Sequence, residues 1–221
     1  MRPVIGLLRL ALLVLLSAPL MARASTLTVP ANRGLLDEEI ARLPPVKPIP
    51  LNVMIKVDAP ELAAGQKPGR TGDPSFNLEY PAREMLEQAV QAAVVRWFGD
   101  NNQVRDSVRL EVRLHTLIWD EYTDVFMWRP VVQVEIELRA ENDSRAFVQQ
   151  VFSSGKQKGG WLRKFWGPIT SEHPPQYTRL IYRAMLLALD KAMADIAQRL
   201  TAEPAPSPPP AQRKPAPTAT P

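Results

Sequence analysis

The sequence predicts an α+β fold: a two-layer sandwich in the order β-α-β-β-β-α, with a four-stranded, mainly antiparallel sheet covered on one face by two helices. Three observations lead there. Four segments alternate apolar and polar residues with the period of a one-sided strand. Two longer segments repeat apolar residues at helical spacing and so carry one buried stripe each. Prolines crowd at Pro44, Pro45, Pro48 and Pro50 and again from Pro204 to Pro221, bracketing one body at residues 50–202, an ordinary domain size. One-sided strands leave a face that needs cover, and two amphipathic helices supply it.

The first strand is LNVMIKV, residues 51–57, with Leu51, Val53, Ile55 and Val57 on one face. A polar loop rich in Gly and Pro follows, from residue 60 to about residue 77. Pro81 then stands where a fixed φ and a missing N–H suit a first helical turn. Met85, Leu86, Ala89, Val90, Ala93, Val94 and Trp97 form the stripe of that helix, which Gly99 ends. The next segment, VRLEVRLHTLIW, turns Val108, Leu110, Val112, Leu114 and Ile118 inward and Arg109, Glu111, Arg113 and His115 outward. PVVQVEIELRA sets Val132, Val134, Ile136 and Leu138 against Gln133, Glu135, Glu137 and Arg139. Asn142-Asp143-Ser144 turns the chain into AFVQQVFSS. Pro174-Pro175 open a closing helix whose buried stripe is Ile181, Met185, Ala188, Ala192 and Ile196, ending near Leu200. The last three strands are expected to form an antiparallel meander. The first helix is then a crossover, of the usual hand if the strands it joins are parallel.

The ends of the chain bear on where it works. Residues 1–24 read as a secretory signal peptide: a basic start, an apolar run that Arg9 interrupts and that is too short to span, and an Ala22-Arg23-Ala24 cleavage site. The mature chain is then expected to begin at Ser25, in the periplasm. Removing Arg2, Arg9 and Arg23 leaves 24 basic residues against 23 acidic ones. The basic character therefore belongs to the leader, and nothing in the charge calls for nucleic acid. With no cysteine, an exported domain has to be stable through its core alone, without disulfides. Residues 25–49 read as an N-terminal extension and proline-rich linker. Residues 203–221 read as a disordered tail, a spacer or a ligand for a proline-binding groove.

The leader, the strand PLNVMIKVDAPE, the helix PAREMLEQAVQAAVVRWF, the paired strands and the helix YTRLIYRAMLLALDKAMADIAQRL together resemble YajG-type bacterial envelope lipoproteins. The resemblance covers about residues 50–200 and is one of order and pattern. Related likenesses are to the lipoprotein that supports lipopolysaccharide assembly and to auxiliary lipoproteins of envelope transporters. These families imply a small, non-enzymatic protein attached to a membrane or working beside one. The chain departs from them in lacking the lipidated cysteine, and with it their means of permanent anchoring.

No catalytic residue, cofactor site or metal site emerges from the sequence. The two histidines, His115 and His173, lie on a polar strand face and before two prolines, without the converging ligands a metal needs. Ser153-Ser154-Gly155-Lys156 falls short of a phosphate loop: Gln150 stands at its first glycine and Gln157 where Ser or Thr would hold magnesium. No G-x-S-x-G elbow is present. Glu135 and Glu137 share a strand face, but Arg109 and Arg113 on the neighbouring strand make cross-strand ion pairing the simpler account. Asp120, Glu121 and Asp124 read as a solvated hairpin.

One stretch stands out, KQKGGWLRKFWGP at residues 156–168. Its candidate interface residues are Trp161, Arg163, Lys164, Phe165 and Trp166. Rings beside cations suit a membrane surface, where indoles sit among headgroups and lysines meet anionic lipid. They equally suit an envelope protein partner, because Trp, Phe and Arg serve as interface anchors. The bland alternative folds the rings over a sheet end. A second aromatic group, Trp119, Tyr122, Phe126, Met127 and Trp128, lies in the preceding hairpin, and the two together would form either a small core or one apolar patch. The function expected is that of a periplasmic accessory or adaptor protein. The alternative is a soluble carrier of a lipid or amphiphile in a pocket between sheet and helices.

Overall fold

A computed structural model of the chain describes residues 25–65, 76–99, 107–123, 127–142, 145–160, 162–163 and 173–202. The expected signal peptide and proline-rich tail lie outside the described residues. In chain order the elements are β1 (Ser25–Thr28), α1 (Arg33–Ile40), β2 (Asn52–Asp58), β3 (Ala63–Ala64), β4 (Phe76–Tyr80), α2 (Ala82–Phe98), β5 (Ser107–Thr123), β6 (Met127–Asn142), β7 (Arg145–Ser153), β8 (Gln157–Lys158), β9 (Leu162–Arg163) and α3 (His173–Thr201).

The alternating segments build the main sheet in the order β2-β5-β6-β7, with β8 and β9 as short additions on β6. β2 is parallel to β5, so α2 is a crossover, while β5, β6 and β7 form an antiparallel meander. α2 begins after Pro81 and stops at Gly99, whose φ of 75° is left-handed and whose N–H closes on Val95 O at 2.9 Å. α3 buries the stripe read from its sequence, with Ile181, Met185, Ala188, Ala192 and Ile196 all at 1% exposure or less. Together α2 and α3 cover the face that carries Val108, Leu110, Val112, Ile136 and Leu138. Each large apolar side chain buried there contributes roughly 1.5–3 kcal/mol relative to exposure.

The fold is α+β, but among the described residues it has two sheets and three helices, not one sheet and two helices. β1, β4 and β3 make a second small sheet, β1 parallel and β3 antiparallel to β4. The loop expected from residue 60 therefore contains β3 and meets β4 at its end. Residues 25–43, expected to lie outside the domain, place Leu27, Val29 and Leu36 in its core. α1 is capped by Asn32, whose side chain accepts from the Leu35 N–H at 3.2 Å. The proline-rich segment is held as well. Arg96 donates to Pro44 O and to the Asp190 carboxylate, and the Ile49 N–H donates to Trp97 O at 2.9 Å.

A second correction concerns β5. Its register against β6 shifts between Leu114 and Thr116, with His115 as the extra, exposed residue. A bulge of one residue moves every later side chain to the opposite face. Leu117 and Trp119 therefore point inward, at 2% and 1% exposure, and Ile118, expected inward, does not. The Trp119 Nε1–H donates to Gly65 O at 3.1 Å, and its ring meets Tyr177 edge-on at 6.3 Å. Trp119 thus belongs to the core and not to an aromatic patch in the hairpin.

Candidate functional site at the end of the long hairpin

β5 and β6 are longer than their neighbours. β2 pairs with β5 only as far as Arg113, and β7 pairs with β6 only from Glu135 onward. The remaining halves run on as a ribbon in which Leu117 lies opposite Val134 and Thr123 opposite Trp128. Asp120 and Glu121 are part of this ladder, opposite Val131 and Pro130, so the expected solvated turn begins later.

The segment after β7 continues along β6 onto this ribbon. Gly155, at φ 68°, supplies a left-handed residue that most side chains disfavour. Ser154 fastens the turn: its N–H donates to Val134 O at 2.9 Å, and its Oγ accepts from the Val134 N–H at 2.9 Å and donates to Gly155 O at 2.7 Å. Gln157 Nε2 adds a bond to Ser154 O at 3.0 Å. Residues Ser153 to Lys156, screened above as a phosphate loop, are the kink through which the strand continues along β6, since β7 and β8 both run antiparallel to it. β8 then pairs Gln157 with Val132 and Lys158 with Val131, and β9 pairs Leu162 with Trp128 and Arg163 with Met127.

Pro130 explains why this continuing strand is split into β8 and β9. It has no N–H to give, so a continuous ladder cannot pass it. Its carbonyl instead accepts from the Gly159 N–H at 2.8 Å, and Arg129 Nε donates to Gly159 O at 2.6 Å. A side chain at Gly159 has no space, since a Cβ would stand 2.7 Å from Pro130 Cγ. The result pairs the backbone at Leu162 and Arg163 with the backbone at Trp128 and Met127. Of the candidate interface residues, Arg163 lies in β9; Trp161, Lys164, Phe165 and Trp166 lie outside the described residues, as does Phe126. The positioning residues Pro130, Ser154 and Gly155 were not singled out for this role from the sequence.

The other face of the main sheet carries charge. Lys56 Nζ stands 2.7 Å from Glu111 Oε1, Arg113 Nε 2.7 Å from Asp58 Oδ2, and Arg113 Nη1 3.9 Å from Glu137 Oε2. Arg139 reaches Glu141 at 2.5 Å. The hydrogen bond from Lys56 chiefly holds the Glu111 carboxyl below its ordinary range. Cross-strand pairing thus accounts for Glu137, whereas Glu135 lies beyond the bulge and accepts from Gln133 Nε2 at 3.3 Å. Arg109 faces Glu141 in the register, not Glu135. Among the described residues no group of three His, Asp or Glu side chains could hold a metal ion. No helix among them is long and apolar enough to cross a membrane.

No protein-family model matches the chain, and no curated protein matches it. Among solved structures, one likeness is to a protein of Caulobacter crescentus CB15 described as a candidate lipoprotein. It shares 11% identity, covers 78% of this chain and 99% of that one, and has a TM-score of 0.32. A TM-score of that size does not establish a common fold, and the resemblance to YajG-type proteins stays one of order and pattern.

Proposed function

We propose that the protein is a non-enzymatic, exported accessory or adaptor of the bacterial cell envelope, contacting an envelope protein or a membrane surface through Trp161, Arg163, Lys164, Phe165 and Trp166. The observation that supports this reading is the pairing of β9 with the tip of β6. It sets Leu162 and Arg163, two residues of the aromatic–basic segment, at the far end of a ribbon that β2 and β7 do not flank. A contact segment anchored on a strand is better placed than one on a free loop, because less ordering is needed when it binds. The carrier alternative needs a cavity between sheet and helices; the described residues there, among them Ile136, Leu138, Met185 and Leu189, are fully buried against one another.

The test is one variant and two measurements. Changing Trp161, Phe165 and Trp166 together to Ser is expected to abolish partner capture in intact-cell crosslinking, or flotation with anionic liposomes, while the denaturant midpoint stays put. Truncating a buried aromatic costs about 3–5 kcal/mol. A variant that unfolds far more easily and keeps its partners would sink the proposal and make these rings part of the core.

A further inference from the structure

The main sheet has two edges, and they are finished differently. At β7, Lys191 Nζ donates to Ser153 O at 2.8 Å and Arg199 Nη1 to Phe147 O at 3.0 Å. α3 thereby occupies carbonyl groups at both ends of that edge and blunts it. At β2 the seven residues pair with β5 on one side, and among the described residues nothing hydrogen-bonds the other side. An unpaired row of N–H and C=O groups is a template for another strand. The sequence of β2, NVMIKVD, favours strand and has no proline, and its Met54 is 48% exposed.

We propose that β2 pairs with β2 of a second copy, antiparallel and two-fold about Val57, joining two main sheets into one. The occupant follows from charge complementarity. Centred on Val57, the pair sets Lys56 opposite Asp58 of the second copy, and by symmetry Asp58 opposite Lys56. Lys56 is already bound to Glu111 and Asp58 to Arg113. Each row across the seam then reads Glu111, Lys56, Asp58, Arg113, with the sign alternating at every step. Centring one residue earlier sets Lys56 on Lys56, like charges directly opposite, which is destabilising. Centring on Ile55 sets Met54 opposite Lys56 and Asn52 opposite Asp58, and both new ion pairs are lost. On the helix-side face the Val57 register brings Val57 to Val57 and Ile55 to Ala59, giving cover to Val57 and Ile55, which one copy leaves half-buried. The same patch serves both subunits, as a closed two-fold dimer requires.

The absence of cysteine makes the test clean, since one introduced thiol has only its counterpart to react with. Opposed residues in an antiparallel pair have Cα atoms about 4.5–5.5 Å apart, within disulfide reach. Val57→Cys should therefore give a covalent dimer under mild oxidation. Met54→Cys should not, because six positions separate it from its counterpart along the seam, about 20 Å. Sedimentation of the purified protein, expressed with its leader, should show a dimer, and Asp58→Lys should weaken it by about tenfold or more. A wild-type monomer at high concentration overturns the proposal. So does Met54→Cys crosslinking as readily as Val57→Cys, or a dimer indifferent to Asp58→Lys.

Discussion

Tyr80 and Tyr182 are two phenols that the fold takes out of water. Burial is the cause of the upward shift in both, opposed at Tyr182 by the hydrogen bond from the Asn32 N–H. Tyr182 also donates its O–H to Gln88 Oε1 at 2.6 Å, so a single hydroxyl joins α3, α2 and the cap of α1. A pKa raised on folding means that the unfolded chain loses its proton first as pH rises. The stability linked to these groups is intact below about pH 10, the ordinary tyrosine value, and falls above it as the unfolded phenols ionise. Unfolding free energy should therefore drop in strongly alkaline buffer, and Tyr80→Phe should make that drop shallower. Denaturant titrations at neutral pH and above pH 10 check this; an unchanged slope in the variant removes Tyr80 as the cause.

α1 is eight residues long, too short to hold its shape alone in water. It is held by what it touches. Leu36 is fully buried, and Glu39, nearly so, accepts from Arg183 Nε at 2.8 Å and from Arg42. Arg179 reaches Glu38 at 2.7 Å, and the Thr178 hydroxyl donates to Pro30 O at 3.1 Å. Leu36→Ala should destabilise the whole domain by about 2–5 kcal/mol, because it opens a cavity where α1 meets the core. Equilibrium unfolding measures it, and a loss near zero would mean that α1 is dispensable. This element also marks what local patterning conveys. Long helices with Pro81 and Gly99 at their ends, or five apolar residues on one stripe of α3, are legible because many residues repeat one message. α1 offers a cap and two leucines, and β1, β3 and β4 are too short to show a period. In β5 the bulge was hidden because Leu117, Ile118 and Trp119 are all apolar, so alternation reads equally well in either phase. The composition of residues 161–166 singled the segment out as a candidate, but the pairing of Leu162 and Arg163 with Trp128 and Met127 depends on Ser154, Gly155 and Pro130, a non-local register that no short window contains.

For the molecule as a whole, the weight of stability falls unevenly along the chain. Residues 204–221 contain no large apolar side chain. Their removal should leave the unfolding midpoint within a degree or two, an expectation for a segment without packing. A fall of several degrees would show that the tail docks. The opposite holds for α3. Its 29 residues pack against β6, β7, β8, α1 and α2, so it closes both the main sheet and the N-terminal arm. It is also the last of the described elements in chain order. A chain emerging N-terminus first, from a ribosome or through a translocation channel, presents the apolar face of its meander with only α2 as cover until those residues arrive. Closure of the fold therefore waits on its C-terminal helix. The packing of α1, α2, β6, β7 and β8 on that one helix cannot form before it has emerged.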